Sequence, residues 1–165
     1  MNDLAQLKVC FLAGTLGQGG AERQLVHILR ALCRCGAAPS VLCLGQHEFW
    51  EAGIKDLGVP VIWVGQAKSK LGRLLRIRTA LRHHRASIIQ SQHFYTNAYA
   101  SASARMLGRF SIGALRSNGL MEASDCGRIG GWLNLHTPHL LAANSQAAIQ
   151  YALQQGLNPT RLFHL

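Results

Sequence analysis

The chain has 165 residues, 48% of them hydrophobic, enough for one domain with a sizeable core, yet no apolar run reaches the roughly 18 to 20 residues of a membrane span. Seventeen Lys and Arg stand against seven Asp and Glu, a formal charge of +10 that attracts polyanions without saying which. Five cysteines (Cys10, Cys33, Cys35, Cys43, Cys126) include no C-x-x-C pair, which argues against a structural zinc site or a disulfide framework.

The first residues, MNDLAQLKVCFLAG, place Asp3 ahead of Lys8, and their apolar run is too short for a secretory core, so a cytoplasmic chain is expected. Residues 8–14 (KVCFLAG) are a continuous apolar run stopped by glycine, the pattern of a strand buried on both faces of a parallel sheet. A glycine turn follows, and then Leu25, Val26, Ile28, Leu29 and Leu32 keep helical spacing until Gly36. Residues 40–45 and 59–65 read as the second and third strands, with a short helix between them closed by Gly58. Residues 70–85 (KLGRLLRIRTALRHHR) read as a basic helix with an apolar stripe of Leu71, Leu74, Leu75, Ile77 and Leu81. The fourth strand is expected at 87–91, an Ala-rich helix up to Gly108, and the fifth strand at 110–117. RIGGWLNLHTP is compatible with helix or loop. Residues 139–145 read as a sixth strand, Ser145 as the N-cap of the next helix, and TRLFHL as a seventh strand.

Strand and helix alternate throughout, which predicts an α/β domain: a Rossmann-like, doubly wound, mainly parallel sheet of about seven strands flanked by helices. Ligands in such sheets bind beyond the carboxyl ends of the strands. That rule singles out residues 14–22, 45–47, 65–68, 92–96, 116–118 and 144–145.

The glycine turn GTLGQGGAERQL (residues 14–25) is similar to two phosphate loops and completes neither. Gly14 and Gly19 have P-loop spacing, but Gly20 and Ala21 stand where Lys and Ser/Thr belong. Gly17 and Gly19 begin a G-x-G-x-x-G that meets Glu22, and Gly45-Gln46 ends the second strand where an acid is wanted, although Glu48 is close. What survives is a helix N-terminus at about Ala21, with backbone approachable at Gly19 and Gly20. It serves either an anion or merely a tight turn.

At this point a resemblance carries further. LAGTLGQGGAERQLVHILRAL resembles the opening of family 4 glycosyltransferases of the GT-B type, in which a strand leads into Gly-Gly-Ala-Glu and a long helix. SIIQSQHFYTNAYASASARMLG, FSIGALRSNG and HLLAANSQAAIQYALQQGLNPTRLFHL resemble later stretches of that family, in the expected order. The resemblance implies the N-terminal, acceptor-side half of a GT-B fold. The intact enzyme would transfer a hexosyl group from a nucleotide sugar, with retention, to a glycan, lipid-linked or other envelope acceptor. A C-terminal domain absent from these residues would hold the nucleotide sugar, so this half needs no cofactor of its own and is expected to be inactive alone.

By resemblance, Gly17, Gly19, Gly20 and Glu22 form the loop near the donor phosphate. His93, Tyr95, Asn97, Arg116, Asn118 and Ser145 are the acceptor-side candidates, Arg116 standing near the point where the family often has a histidine. Each has a plain alternative: His93 as a structural hydrogen-bonder, Tyr95 and Asn97 as helix-start residues, Ser145 as a cap. His136 and His139, separated by Pro138, break helical ligand geometry, and no metal is expected. Lys68, Lys70, Arg73, Arg76, Arg78, Arg82 and Arg85 load the basic segment. It reads as a solvated helix packed on the sheet, or as a contact with an anionic membrane surface at the inner face through Lys70, Arg73, Arg76 and Arg82. Nucleic acid is disfavoured, since no reading motif accompanies the charge. Two rival functions remain: a non-catalytic basic binding module and a Rossmann oxidoreductase.

Overall fold

The computed structural model describes residues 7–67, 69–116 and 119–165. Seven strands run β1 (Lys8–Ala13), β2 (Ala38–Cys43), β3 (Val61–Trp63), β4 (Ile88–Ser91), β5 (Phe110–Leu115), β6 (Leu140–Ala143) and β7 (Leu162–His164). Between them lie α1 (Gly20–Arg34), α2 (Glu51–Lys55), α3 (Lys70–His83), α4 (Asn97–Arg105), α5 (Leu120–Asp125), α6 (Gly127–His136) and α7 (Gln146–Gln154), with 3₁₀ turns at Phe94–Thr96 and Pro159–Arg161. The strands form one sheet in the order β3-β2-β1-β4-β5-β6-β7, and every pairing is parallel. This is the expected doubly wound, Rossmann-like half-domain.

β1 shows why the sheet is covered on both faces. Alternate side chains point to opposite sides of a strand, so a strand between two helix layers must be apolar throughout. Val9, Phe11 and Ala13 pack with Leu25, Val26 and Leu29 of α1 and Ile54 of α2. Cys10 and Leu12 pack on the other face with Ile77 and Leu81 of α3 and Ala100 and Ala104 of α4. A third cluster joins Phe94, Leu115 and Leu141 to Leu135 of α6 and to Ala148 and Ala152 of α7.

Three expectations change. The third strand is only Val61–Trp63, because Pro60 has no N–H for the ladder, although its carbonyl still accepts from Val41 N–H at 2.9 Å. The stretch open to helix or loop is helical, within α6. The leucines of α3 do not form one buried stripe. Ile77 and Leu81 are buried and Leu74 half-buried, whereas Leu71 is 65% and Leu75 43% exposed. Positions 74, 77 and 81 share one helical face; 71 and 75 lie on another. Among the described residues no helix is long and apolar enough to cross a membrane.

Candidate functional site

Strand order reverses between β1 and β4, so the chain leaves these neighbours in opposite directions and opens a crevice at their carboxyl ends. The glycine turn leaves β1 at this point, and His93 leaves β4. Gly14 N–H donates to His93 Nδ1 at 3.1 Å, which fixes the tautomer: Nε2 carries the proton and donates to Glu22 Oε1 at 3.0 Å. Burial holds the imidazole below the ordinary His range; Glu22 pulls it upward and the nearby Arg116 charge pushes it down. The ring stacks on Tyr95 with centroids 5.4 Å apart. Gly14 is glycine for a steric reason, since a Cβ there would fall 1.8 Å from the Tyr95 hydroxyl.

Glu48 anchors the other side of the turn. It accepts from Thr15 Oγ1 at 2.7 Å and from Leu16 N–H, and Trp50 N–H donates to Leu16 O at 2.9 Å. The acid that stood near a ribose-binding position therefore holds the loop itself.

This bracing presents the start of α1. Gly19 occupies the N-cap position, and no side chain caps the helix. The two glycines that follow each other in sequence have different tasks. A Cβ on Gly19 would lie 2.2 Å from Glu22 Oε2, so its bareness makes room for the carboxylate that pairs with His93. A Cβ on Gly20 would meet nothing within 4 Å; Gly20 is the open position. Gly20, Arg23, Gln24 and His27 follow the i, i+3, i+4, i+7 spacing of one helical face. With Arg116 and Asn144 they line a cleft of about 610 Å³.

Arg116 follows β5 and is only 8% exposed. Its Nη1 donates to Gln24 Oε1 at 2.6 Å and its Nη2 to Gln92 Oε1 at 3.2 Å. Burial lowers its pKa, partly offset by Glu122. The Glu122 carboxylate accepts the backbone N–H of Arg116 at 2.8 Å, and burial pushes its pKa up to about 7 against that bond and the Arg116 charge.

The sequence-derived candidates thus separate. Gly20 and Arg116 face one cleft. Gly17 and Gly19 lie beside it in the turn, and Glu22, 5% exposed, points back to His93. Both His93 nitrogens are engaged, as a structural hydrogen-bonder's would be. Tyr95 is exposed above it. Asn97 is wholly buried: its amide donates to Ala114 O and Asn134 O and accepts Ala114 N–H, tying α4 to β5 and α6, so it is a helix-start residue rather than a surface contact. Ser145 caps α7 by accepting Ala148 N–H at 3.1 Å. Asn118 and Lys68 lie outside the described residues. On α3, Lys70, Arg76 and Arg82 are exposed, while Arg73 is half-buried with its guanidinium 5.7 Å above the Tyr99 ring. Among the described residues no group of three or more His, Cys, Asp or Glu is placed to hold a metal.

Sequence reasoning missed Gln24, Arg23, His27 and Glu122. The first three were within reach, because they repeat from Gly20 at helical spacing. Glu122 carries no such signal: its elevated pKa comes from burial, which no local pattern announces.

Comparison with known proteins agrees with this fold. Over 97% of its length the chain superposes on 44% of Anabaena Alr3699/HepE, solved in complex with UDP and glucose, at a TM-score of 0.77 and 17% identity. A glycosyltransferase from Rickettsia africae gives 0.70 at 12% identity, over 96% of this chain and 42% of that one. The fold extends to UDP-GlcNAc 2-epimerase from Methanocaldococcus jannaschii, at 0.62 and 16% identity over 95% and 45%. The chain therefore spans less than half the length of the structures it resembles. No curated protein matches it by sequence. The model of the glycosyl transferase 4-like domain matches residues 19–162. Parallel sheet, crevice and family model agree: the chain belongs to the glycosyl transferase 4-like domain family, as the N-terminal half-domain of a GT-B fold.

Proposed function

We propose that these 165 residues are the acceptor-side half of an enzyme that moves a hexosyl group from a nucleotide sugar, with retention, to a glycan or lipid-linked envelope acceptor. The observation that carries the reading is the cleft beyond the carboxyl ends of β5, β6 and β7, with the uncapped start of α1 at Gly20 on one wall and Arg116 on another. A helix N-terminus offers unpaired N–H groups and a positive dipole end, which suits negative charge developing on a departing diphosphate. UDP in the HepE complex and the half-length match favour a donor held mostly by a second domain.

In this reading Gly20 serves the donor phosphate and Arg116 the acceptor. His93 is a positioning residue, which keeps Glu22 turned away from the phosphate side. The oxidoreductase alternative loses support, since Glu48 is bonded to the loop at Thr15 and Leu16. The protein works at the cytoplasmic membrane face, with α3 turned to anionic lipid.

The test is transfer from UDP-glucose to a mixture of membrane-derived acceptors. The product of the complete reading frame is expected to turn over donor, and the 165 residues alone are not. Robust turnover by the 165-residue chain would overturn the division of labour.

A further inference from the structure

Among the described residues Arg116 is a buried cation that forms no ion pair. Two neutral amides hold its guanidinium, and no carboxylate of the described residues lies within 4.0 Å of it. Its Nε has no partner, and neither has Nε2 of Gln92, a side chain with no exposed surface. Arg73 and Arg78 also carry an unpartnered Nε, but as residues both are only partly buried, on α3. Removing a charge from water is costly unless an opposite charge meets it. Glu122 accepts the Arg116 backbone N–H rather than the guanidinium, and burial pushes its pKa up to about 7, so it supplies only part of that charge. The cleft adds Arg23, His27 and the uncapped α1 start; among the described residues no Asp or Glu lines it, and Leu165, the last residue, completes the wall.

Resting on the acceptor-side reading above, we propose that the acceptor is an acidic sugar, whose phosphate or carboxylate seats on Arg116 and supplies the missing negative charge. A guanidinium suits both oxyanions, because its planar fork matches two oxygens at once. The anchored acid then holds the neighbouring sugar hydroxyl toward the donor side of the cleft at Gly20.

The test uses the ¹⁵N-labelled 165-residue chain and follows the Arg116 Nε–Hε signal and the Gly20 and Gln24 amides. Glucose 1-phosphate or glucuronate is expected to shift them saturably, with at least tenfold higher affinity than glucose. Which of the two binds more tightly identifies the acid. Arg116→Met abolishes the response, and Arg73→Glu, which lowers the overall charge away from the cleft, leaves it intact. Gln24→Glu is the complementary variant: it supplies the counter-charge from within, raises the melting temperature and weakens acidic-sugar binding at least tenfold. An equal response to glucose, binding that survives both cleft variants, or UDP binding at least tenfold tighter than either acidic sugar overturns the proposal; the last result assigns Arg116 to the donor. These titrations read binding without turnover. Acidic-sugar binding in a protein without transferase activity overturns only the transferase reading, and transfer without such binding overturns only the acidic acceptor.

Discussion

Single residues in this domain owe their roles to the groups that reach them first. His93 stands at the mouth of a strand, where a histidine is easily read as cleft-lining, but Gly14 N–H and Glu22 occupy both ring nitrogens. Glu122 is the opposite case, an unremarked acid whose burial beside Arg116 raises its pKa from 4.5 to about 7. A carboxyl raised in the folded state favours folding fully below the unfolded pKa, and that contribution is lost as pH rises through the folded one. Stability is therefore expected to fall between pH 4.5 and 7 on account of this group. Glu122→Gln keeps an oxygen for the Arg116 N–H and removes the titration. It should be more stable than the parent by about 1–2 kcal/mol at pH 8, allowing for solvent screening, and no more stable at pH 4. Urea unfolding at the two pH values checks this; an equal gain at both contradicts it.

Among the elements, α3 shows how far periodicity reads and where it stops. Five apolar positions and a dense basic pattern predicted the helix correctly, and Ser69 caps it by accepting Gly72 N–H at 3.0 Å. The same five positions did not say which would be buried, because helical spacing allows two stripes and only the sheet chooses between them. Ile77→Ala should cost about 2–4 kcal/mol, and Leu75→Glu less than about 0.5 kcal/mol, by thermal or chemical unfolding. Comparable losses would mean that the exposed leucine is packed after all. Leu71 and Leu75 outside, beside Lys70, Arg76 and Arg82, form the surface that would meet anionic lipid. Flotation with phosphatidylglycerol vesicles should carry the protein upward, and the pair Arg76→Glu and Arg82→Glu should abolish it. Flotation unchanged by that pair would remove α3 from the membrane.

For the molecule as a whole, the sequence foretold the architecture more fully than the site. Buried strands of a parallel sheet are continuous apolar runs, so the order and number of the strands followed from local pattern, whereas the short helix α5 was not foreseen. The strand-end rule also located the crevice, since it depends on topology alone. The division of tasks between Gly19 and Gly20 is set by a side chain folding back from Glu22, and the setting of Arg116 by two amides, Gln24 and Gln92, far from it in sequence. Neither has a local signature. Both follow from how the start of α1 and Arg116 at the end of β5 meet at one cleft, and the proposed chemistry depends on that meeting.

The central claim is that this cleft, at Gly20, is where the donor phosphate meets the acceptor half. Gly20→Val tests it most directly, because a Cβ there meets nothing within 4 Å and valine early in a helix costs less than about 1 kcal/mol. Made in the product of the complete reading frame, the variant should keep the parental melting temperature within a few degrees and lose at least about a hundredfold in kcat for sugar transfer, the size expected when a pre-organised anion contact is blocked. Parental kcat from a folded Gly20→Val protein would contradict the account.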